Sequence, residues 1–417
     1  MLTEGQILEI LATWKKKIKK KVLYDRAITD KLNSLIGKEV LDMIGIRRSG
    51  KSSAIFLLIK KLNLEDDDFL YVNFEDPAFI GEYSVELLEK IWDTYRTRIN
   101  PKKKPYIFLD EVQLIPNWEL WAREIRDLEG AYIFVTGSSA KLMGREFGTS
   151  LTGRHISTTV YPLSFKEFLD FKDISLDKRN LYGSKDLINN KLHAYMVSGG
   201  FPENALNENK ELLVNYFEDI LYRDIILRHD IRDAKSLRNI AVFCLTNMTN
   251  YISYNSLRKQ FSLSLDTVKS YLSMMEEAFL IFSVPAFSYS LKFQENSPKK
   301  LHTIDNGLRN AVSFKFSKDT GKLAENAVFV ELKRQGKEVY YWKGDNEVDF
   351  LIRNKDQSLS AINVCFSDKI DERELKGLVE VKKKFKGKVK ELIIITKDTE
   401  KKEKAIKYIP LWRWLLV

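Results

Sequence analysis

Residues Gly45–Ser52 read Gly-Ile-Arg-Arg-Ser-Gly-Lys-Ser, which fits G-x-x-x-x-G-K-[ST] at every fixed position. No other stretch constrains the fold as much, because its flanks agree with it. Glu39-Val-Leu-Asp-Met-Ile-Gly before it alternates as a strand does, and Ser53-Ala-Ile-Phe-Leu-Leu-Ile-Lys-Lys after it reads as a helix. Strand, glycine loop and helix together build a phosphate cradle. Gly45 and Gly50 let the backbone turn without a Cβ clash. The amides around Arg47, Arg48, Ser49, Gly50, Ser52 and Ser53 then point at phosphate oxygens, and the helix start adds its positive dipole end. Lys51 can reach the β- and γ-phosphates, and the Ser52 hydroxyl can ligate Mg²⁺. ATP and Mg²⁺ are therefore the expected cofactors. The bland alternative is a tight turn before an ordinary helix.

Pro105-Tyr-Ile-Phe-Leu-Asp-Glu-Val-Gln is a short apolar run ending in two carboxylates. Buried parallel strands look like this, and ligands sit at their carboxyl ends. Asp110 would support Mg²⁺, and Glu111 would orient and deprotonate the attacking water. The next apolar run ends in Thr136-Gly-Ser-Ser. There Thr136 or Ser138 either touches the γ-phosphate or the water, or the strand simply exits with a helix N-cap at Ser138 or Ser139. Arg154, with Arg145 slightly earlier, is the candidate arginine for transition-state charge.

Residues 39–45, 68–74, 105–110, 131–136 and 155–161 make five strand-like runs. Along the chain, the run 68–74 comes between the phosphate-loop strand and the Asp110 strand. That order suits P-loop ATPases with an inserted strand and a catalytic Glu on the acidic strand. Glu75 and Asp76 end the run 68–74 and suit a turn or helix cap better than a nucleotide contact.

A chain of 417 residues is too long for one core. Its formal net charge of +10 permits nucleic-acid binding without demanding it. Lysines cluster at Lys15–Lys21, Lys102–Lys104, Lys299–Lys300 and Lys382–Lys390, each reading first as a solvated face. Cys244 and Cys365 stand in unrelated contexts, so no disulfide partner or zinc spacing is expected. Four scattered histidines form no metal cluster. No apolar run reaches membrane-span length, and no signal peptide opens the chain. A cytoplasmic protein without a membrane partner is expected.

From Ser164 the pattern turns helical. Residues 215–228 read as a helix with an apolar stripe that carries Arg223 and Arg228. Residues 236–285 look like a helix-turn-helix: a helix at Ser253–Phe261, a turn at Ser262-Leu-Ser, and a second helix from Leu265. In a DNA reader Asp266, Thr267, Lys269 and Ser270 would meet base edges, but one lysine is a thin basic surface and a packing module is the competing reading. A helix carrying Glu325 and strands at 339–342, 347–352 and 360–367 follow. The closing run 409–417 reads as a buried element.

Taken together, these motifs resemble the prokaryotic, largely archaeal, AAA+-type P-loop ATPases that carry a C-terminal PD-(D/E)XK nuclease-like domain. The resemblance rests on the phosphate loop, Leu109-Asp-Glu-Val-Gln, Thr136-Gly-Ser-Ser, Tyr161-Pro-Leu-Ser-Phe, Gly199-Gly-Phe-Pro, Asp305-Asn-Gly-Leu, Glu325-Asn and Glu347-Val-Asp-Phe. It implies an α/β chain divided into an N-terminal helical segment (1–36), an ATPase domain with a parallel five-stranded sheet (37–165), a helical lid (166–235), a winged helix (236–295) and a restriction-endonuclease-like α/β domain (296–417). In the nuclease pattern Glu325 and Asp349 match metal ligands, whereas Asn363 and Cys365 stand where Glu and Lys are required. Cleavage is not expected from that site. The implied function is Mg-dependent ATP hydrolysis driving a switch or motor, with DNA and a second copy of the chain as candidate partners. The alternatives are a DNA-binding module whose assembly nucleotide gates, and a nuclease.

Overall fold

The computed structural model describes residues 2–37, 39–139, 155–176, 181–313 and 319–416. Arg145 and Arg154 lie outside the described residues. The chain divides into two compact units, the first ending at Val160 and the second beginning at Tyr161.

The first unit opens with the helix Glu4–Lys20, started by a capping box between Thr3 and Gln6, and the helix Ala27–Leu35. Its sheet comprises β1 (Val40–Ile44), β2 (Phe69–Asn73), β3 (Tyr106–Asp110), β4 (Tyr132–Gly137) and β5 (His155–Thr159), in the order β2-β3-β4-β1-β5, all parallel. Helices lie between consecutive strands from β1 to β4, so both faces are covered. That is why β1 and β3 read as nearly unbroken apolar runs. In space the strand inserted between β1 and the acidic β3 is β4, while β2 lies at the edge beyond β3. Phe108 and Phe134 stack across β3 and β4 with centroids 4.8 Å apart. The parallel register, which pairs Ile44 with Gly137 and Leu109 with Val135, brings the ends of β1, β3 and β4 to a common depth.

The second unit starts with helices. Where one α-helix was expected over 215–228, the α-helix Lys210–Asp219 passes into a π-helix at Ile220–Ile226. The wider turn shifts the helical phase, so that Ile220, Leu221, Asp224 and Ile225 all face inward. The helices Tyr254–Phe261 and Leu265–Glu277 appear where the sequence places them, joined through left-handed Ser262 and capped by Ser264. They accompany a small antiparallel sheet of β6 (Tyr251–Ile252), β7 (Ile281–Val284) and β8 (Lys299–Thr303), ordered β6-β8-β7.

A second, mixed sheet holds β9 (Glu338–Lys343), β10 (Glu347–Arg353), β11 (Leu359–Cys365), β12 (Val389–Thr396), β13 (Lys401–Glu403) and β14 (Ile406–Pro410), ordered β13-β14-β12-β11-β10-β9. The helix Glu372–Lys384 packs closely on it: a Cβ at Gly377 would lie 2.2 Å from the Glu347 carbonyl oxygen. Two motifs far apart in sequence also meet in this unit. The buried Asp305 carboxylate accepts from the amides of Gly200 at 2.6 Å and Leu308 at 2.8 Å. A Cβ at Gly307 would lie 2.0 Å from the Ser198 carbonyl oxygen. The glycines are needed there because backbone meets backbone.

Candidate nucleotide site

The candidate site lies at the carboxyl ends of β1, β3 and β4. Gly45 leaves β1 with φ of +149°, and a Cβ there would stand 2.3 Å from the Val160 carbonyl oxygen. Arg48 and Gly50 take left-handed conformations, φ +69° and +98°. Gly50 precedes the helix Lys51–Lys61 and brings no side chain to cap it. The first amides of that helix are thus left facing the loop, where an anion can take them.

Lys51 is 5 % exposed, and its ammonium donates to the loop's own carbonyls, Gly45 at 3.0 Å and Ile46 at 3.3 Å. It also lies 3.7 Å from a Glu111 carboxylate oxygen. Ser52 hydrogen-bonds Asp110, and Ser53 is half-buried one residue on. Ser49 is buried, and its carbonyl accepts from Arg26 at 3.1 Å. Arg47 pairs with Glu75 at 2.7 Å. Asp76 caps a short turn through the Ala78 amide and accepts from the Trp14 indole at 2.8 Å, the cap expected for it.

Asp110 is fully buried. Its carboxylate accepts from the Tyr71 hydroxyl at 2.7 Å, from Asn73 at 3.4 Å and from the Thr136 hydroxyl. Burial pushes this carboxyl up from its ordinary range and the neighbouring Glu111 charge adds to that; the hydrogen bonds from Ser52, Thr136 and Tyr71 oppose both. Glu111 sits in a left-handed conformation, φ +55°, uncommon for a non-glycine residue. Its amide donates to Thr136 Oγ1 at 3.0 Å, and its carboxylate accepts from Gln113 at 2.7 Å. Thr136 therefore sits behind the acidic pair and orients it. Ser138 and Ser139 are buried just beyond β4.

These residues suit a magnesium-bound nucleotide. The loop leaves helix amides uncapped, the lysine rests on carbonyls it can leave, and a hydroxyl and a carboxylate stand side by side. Sequence reasoning passed over Tyr71, Asn73, Arg26 and Gln113. Tyr71 and Asn73 carried a readable signal, since they lie in the last three residues of a strand whose end shares the depth of Asp110.

The second unit holds another charged cluster. The Lys300 ammonium lies 2.8 Å from carboxylate oxygens of Glu325, Glu347 and Asp349. Lys300 is 2 % exposed, so the expectation of a solvated Lys299–Lys300 face fails for Lys300: three carboxylates compensate its burial. Burial pushes Glu325 up to about 8, against the pull of Lys300. Asn363 spends its side chain on backbone, accepting from the Asp349 amide at 2.9 Å and donating to the Glu374 carbonyl at 3.0 Å. Cys365 is buried beside Ser367. Among the described residues no three His, Cys, Asp or Glu side chains are arranged to hold a metal ion, Cys244 and Cys365 are both free thiols, and no helix is long and apolar enough to cross a membrane.

An AAA domain matches residues 37–169, and two domains of unknown function, DUF8612 and DUF4143, match residues 189–319 and 320–414. The Methanocaldococcus jannaschii protein "Uncharacterized protein MJ1544" is 36 % identical, over 96 % of this chain and 96 % of that one. The chain belongs to the same family of AAA-domain proteins. A second member-like relative, an "Uncharacterized protein" of Haemophilus influenzae, is 27 % identical over 89 % of this chain and 93 % of its own. Among solved structures, Cdc6p from Pyrobaculum aerophilum aligns with 64 % of this AAA-domain chain and 90 % of its own, at 13 % identity and a TM-score of 0.30. AMPPCP-bound DnaA from Aquifex aeolicus aligns with 60 % of this chain and 86 % of its own, at 13 % identity and a TM-score of 0.26. Likeness at that level assigns no activity to the AAA-domain chain.

Proposed function

We propose that the first unit binds Mg·ATP and hydrolyses it, as a nucleotide-driven switch or motor. The observation that carries this is the convergence of Lys51 and the Asp110–Glu111 pair, with the ammonium 3.7 Å from Glu111 at the mouth of the glycine loop. Gly45, Arg47, Arg48, Ser49, Gly50 and Ser53 supply the cradle. Lys51 leaves its loop carbonyls to take the β- and γ-phosphates. Ser52 and Asp110 would hold magnesium, which when bound would supply positive charge beside the phosphates. Glu111, aimed by Thr136 through its backbone and by Gln113 through its carboxylate, accepts a proton from the attacking water. Ser138 borders the same strand end, and Arg154 remains the proposed source of positive charge on the γ-phosphate.

The test is equilibrium binding of a fluorescent ATP analogue. Mg²⁺-dependent binding by the native chain that is lost in Lys51→Ala supports the reading. Equal binding by both proteins contradicts it.

We further propose the finer division of the second unit into a lid, a winged helix and a nuclease-like domain without cleavage. Two observations support the loss of cleavage: Lys300 sits among the carboxylates where a metal would have to go, and Asn363 is committed to backbone. DNA and a second copy of the chain are the proposed partners.

A further inference from the structure

The second unit carries one surface that neither charged cluster uses. Residues 382–390 read Lys-Lys-Lys-Phe-Lys-Gly-Lys-Val-Lys, six lysines without an acid. Lys390 pairs with Asp356 at 2.5 Å. No salt bridge within 4 Å holds Lys382, Lys383, Lys386 or Lys388 among the described residues, while Lys384 interacts electrostatically with Glu380 one turn earlier. Residues 286–294 likewise contain no acid, and there Tyr289, Leu291 and Phe293 are 66 %, 74 % and 56 % exposed.

The two segments are joined. Lys388 donates to the Tyr289 hydroxyl at 3.1 Å, and its ammonium stands 4.7 Å from the centre of that ring. Phe385 packs edge-on against Phe287 at 5.4 Å and Tyr289 at 6.4 Å. Phe287 itself is buried, so it anchors the contact. Gly387, at φ +82°, turns the chain between Lys386 and Lys388. Lys384 lies over Trp342 at 5.8 Å.

Unpaired lysines attract an anion, and exposed rings attract a flat apolar partner. One chemistry offers both at close spacing: a single strand of nucleic acid, whose phosphates take the ammonium groups and whose unstacked bases take the rings. A duplex hides its base faces, and an acidic peptide gives the rings nothing flat to stack on. We propose that Tyr289 and Phe293, with Lys384, Lys386 and Lys388, form a binding surface for single-stranded nucleic acid. This deepens the nucleic-acid part of the reading above and is independent of ATP hydrolysis.

The test is fluorescence anisotropy of labelled oligo-dT, oligo-U and a duplex of equal length with the full chain, across a salt series. The surface binds the single strands more tightly than the duplex, and affinity falls with salt. The double charge reversal K386E/K388E weakens binding at least about tenfold and flattens the log–log salt slope by roughly 1.4. Tyr289→Ala with Phe293→Ala weakens binding by about tenfold or more and leaves the slope unchanged. All five positions are on the surface, and thermal melts check that the variants stay folded. If the ring variant does not fold, the lysine variant and its slope decide the matter. Tighter duplex binding, no binding of either single strand, capture of polyglutamate in preference to oligonucleotide, or single-strand binding unmoved by the lysine variant overturns the proposal. Lys51→Ala binds oligonucleotide as the native chain does, so failure of the nucleotide site and failure of this surface are read separately.

Discussion

The Tyr71 hydroxyl donates to the Asp110 carboxylate at 2.7 Å, joining the edge strand to the acidic strand beneath the phosphate loop. Both side chains are buried, so neither has water to replace the other. Tyr71→Phe is predicted to destabilise the chain by about 1–3 kcal/mol, because it leaves a buried carboxylate short of one donor. Urea unfolding of the variant against the native chain measures this. An unchanged midpoint would mean the hydrogen bond contributes nothing.

The Lys300 ammonium contacts three carboxyl groups at once, Glu325, Glu347 and Asp349, and burial pushes the Glu325 carboxyl up to about 8. Removing the ammonium while keeping its bulk, as in Lys300→Met, leaves the largely buried Asp349 carboxylate and the half-buried Glu347 without their shared counter-ion. The predicted loss is roughly 3–5 kcal/mol. Adding Asp349→Asn to Lys300→Met removes a carboxylate charge that faced the lost ammonium and should restore part of it. Chemical denaturation of the single and double variants provides the comparison, and a double variant less stable than Lys300→Met contradicts this account of the cluster.

Asp305 gives a pH dependence with a definite sign. Burial pushes its carboxyl from 3.8 up to about 6, while the amides of Gly200, Leu308 and Gly307 pull it back. Because the folded pKa is the higher one, the contribution to stability is complete below pH 3.8. It is lost as pH rises through about 6 and is flat above that. The span is on the order of 3 kcal/mol. Asp305→Asn cannot ionise and should lack this component. The difference in unfolding free energy between the two proteins, followed from pH 4 to pH 8, reports it directly. A difference that does not vary across that range would refute the assignment.

Much of the fold was legible in the sequence because the physics is local. A strand covered on both faces is apolar at most of its positions, and this phosphate loop puts glycine at two of its three positive-φ positions, Gly45 and Gly50. That is why β1, β3 and β4, and the helices around Ser262, fall where the residue pattern places them. Lys300 was not legible: a lysine next to a lysine looks solvated until the tertiary fold brings Glu325, Glu347 and Asp349 around it. Arg26 was missed for the same reason, since nothing in its own neighbourhood announces a contact with the Ser49 carbonyl. Thr136 was placed correctly at the strand end, but its partners proved to be Asp110 and the Glu111 amide. The π-helix at Ile220–Ile226 has no periodic signature short enough to separate from an α-helix.

Steady-state ATP hydrolysis by the native chain, Lys51→Ala and Glu111→Gln, with nucleotide binding measured on the same samples, tests the central claim most directly. The account predicts Mg²⁺-dependent turnover by the native chain. It predicts loss of both binding and turnover in Lys51→Ala. In Glu111→Gln, binding survives while turnover falls by at least about a hundredfold, the scale of a lost general base. Turnover by Glu111→Gln or Lys51→Ala at the native rate would contradict it.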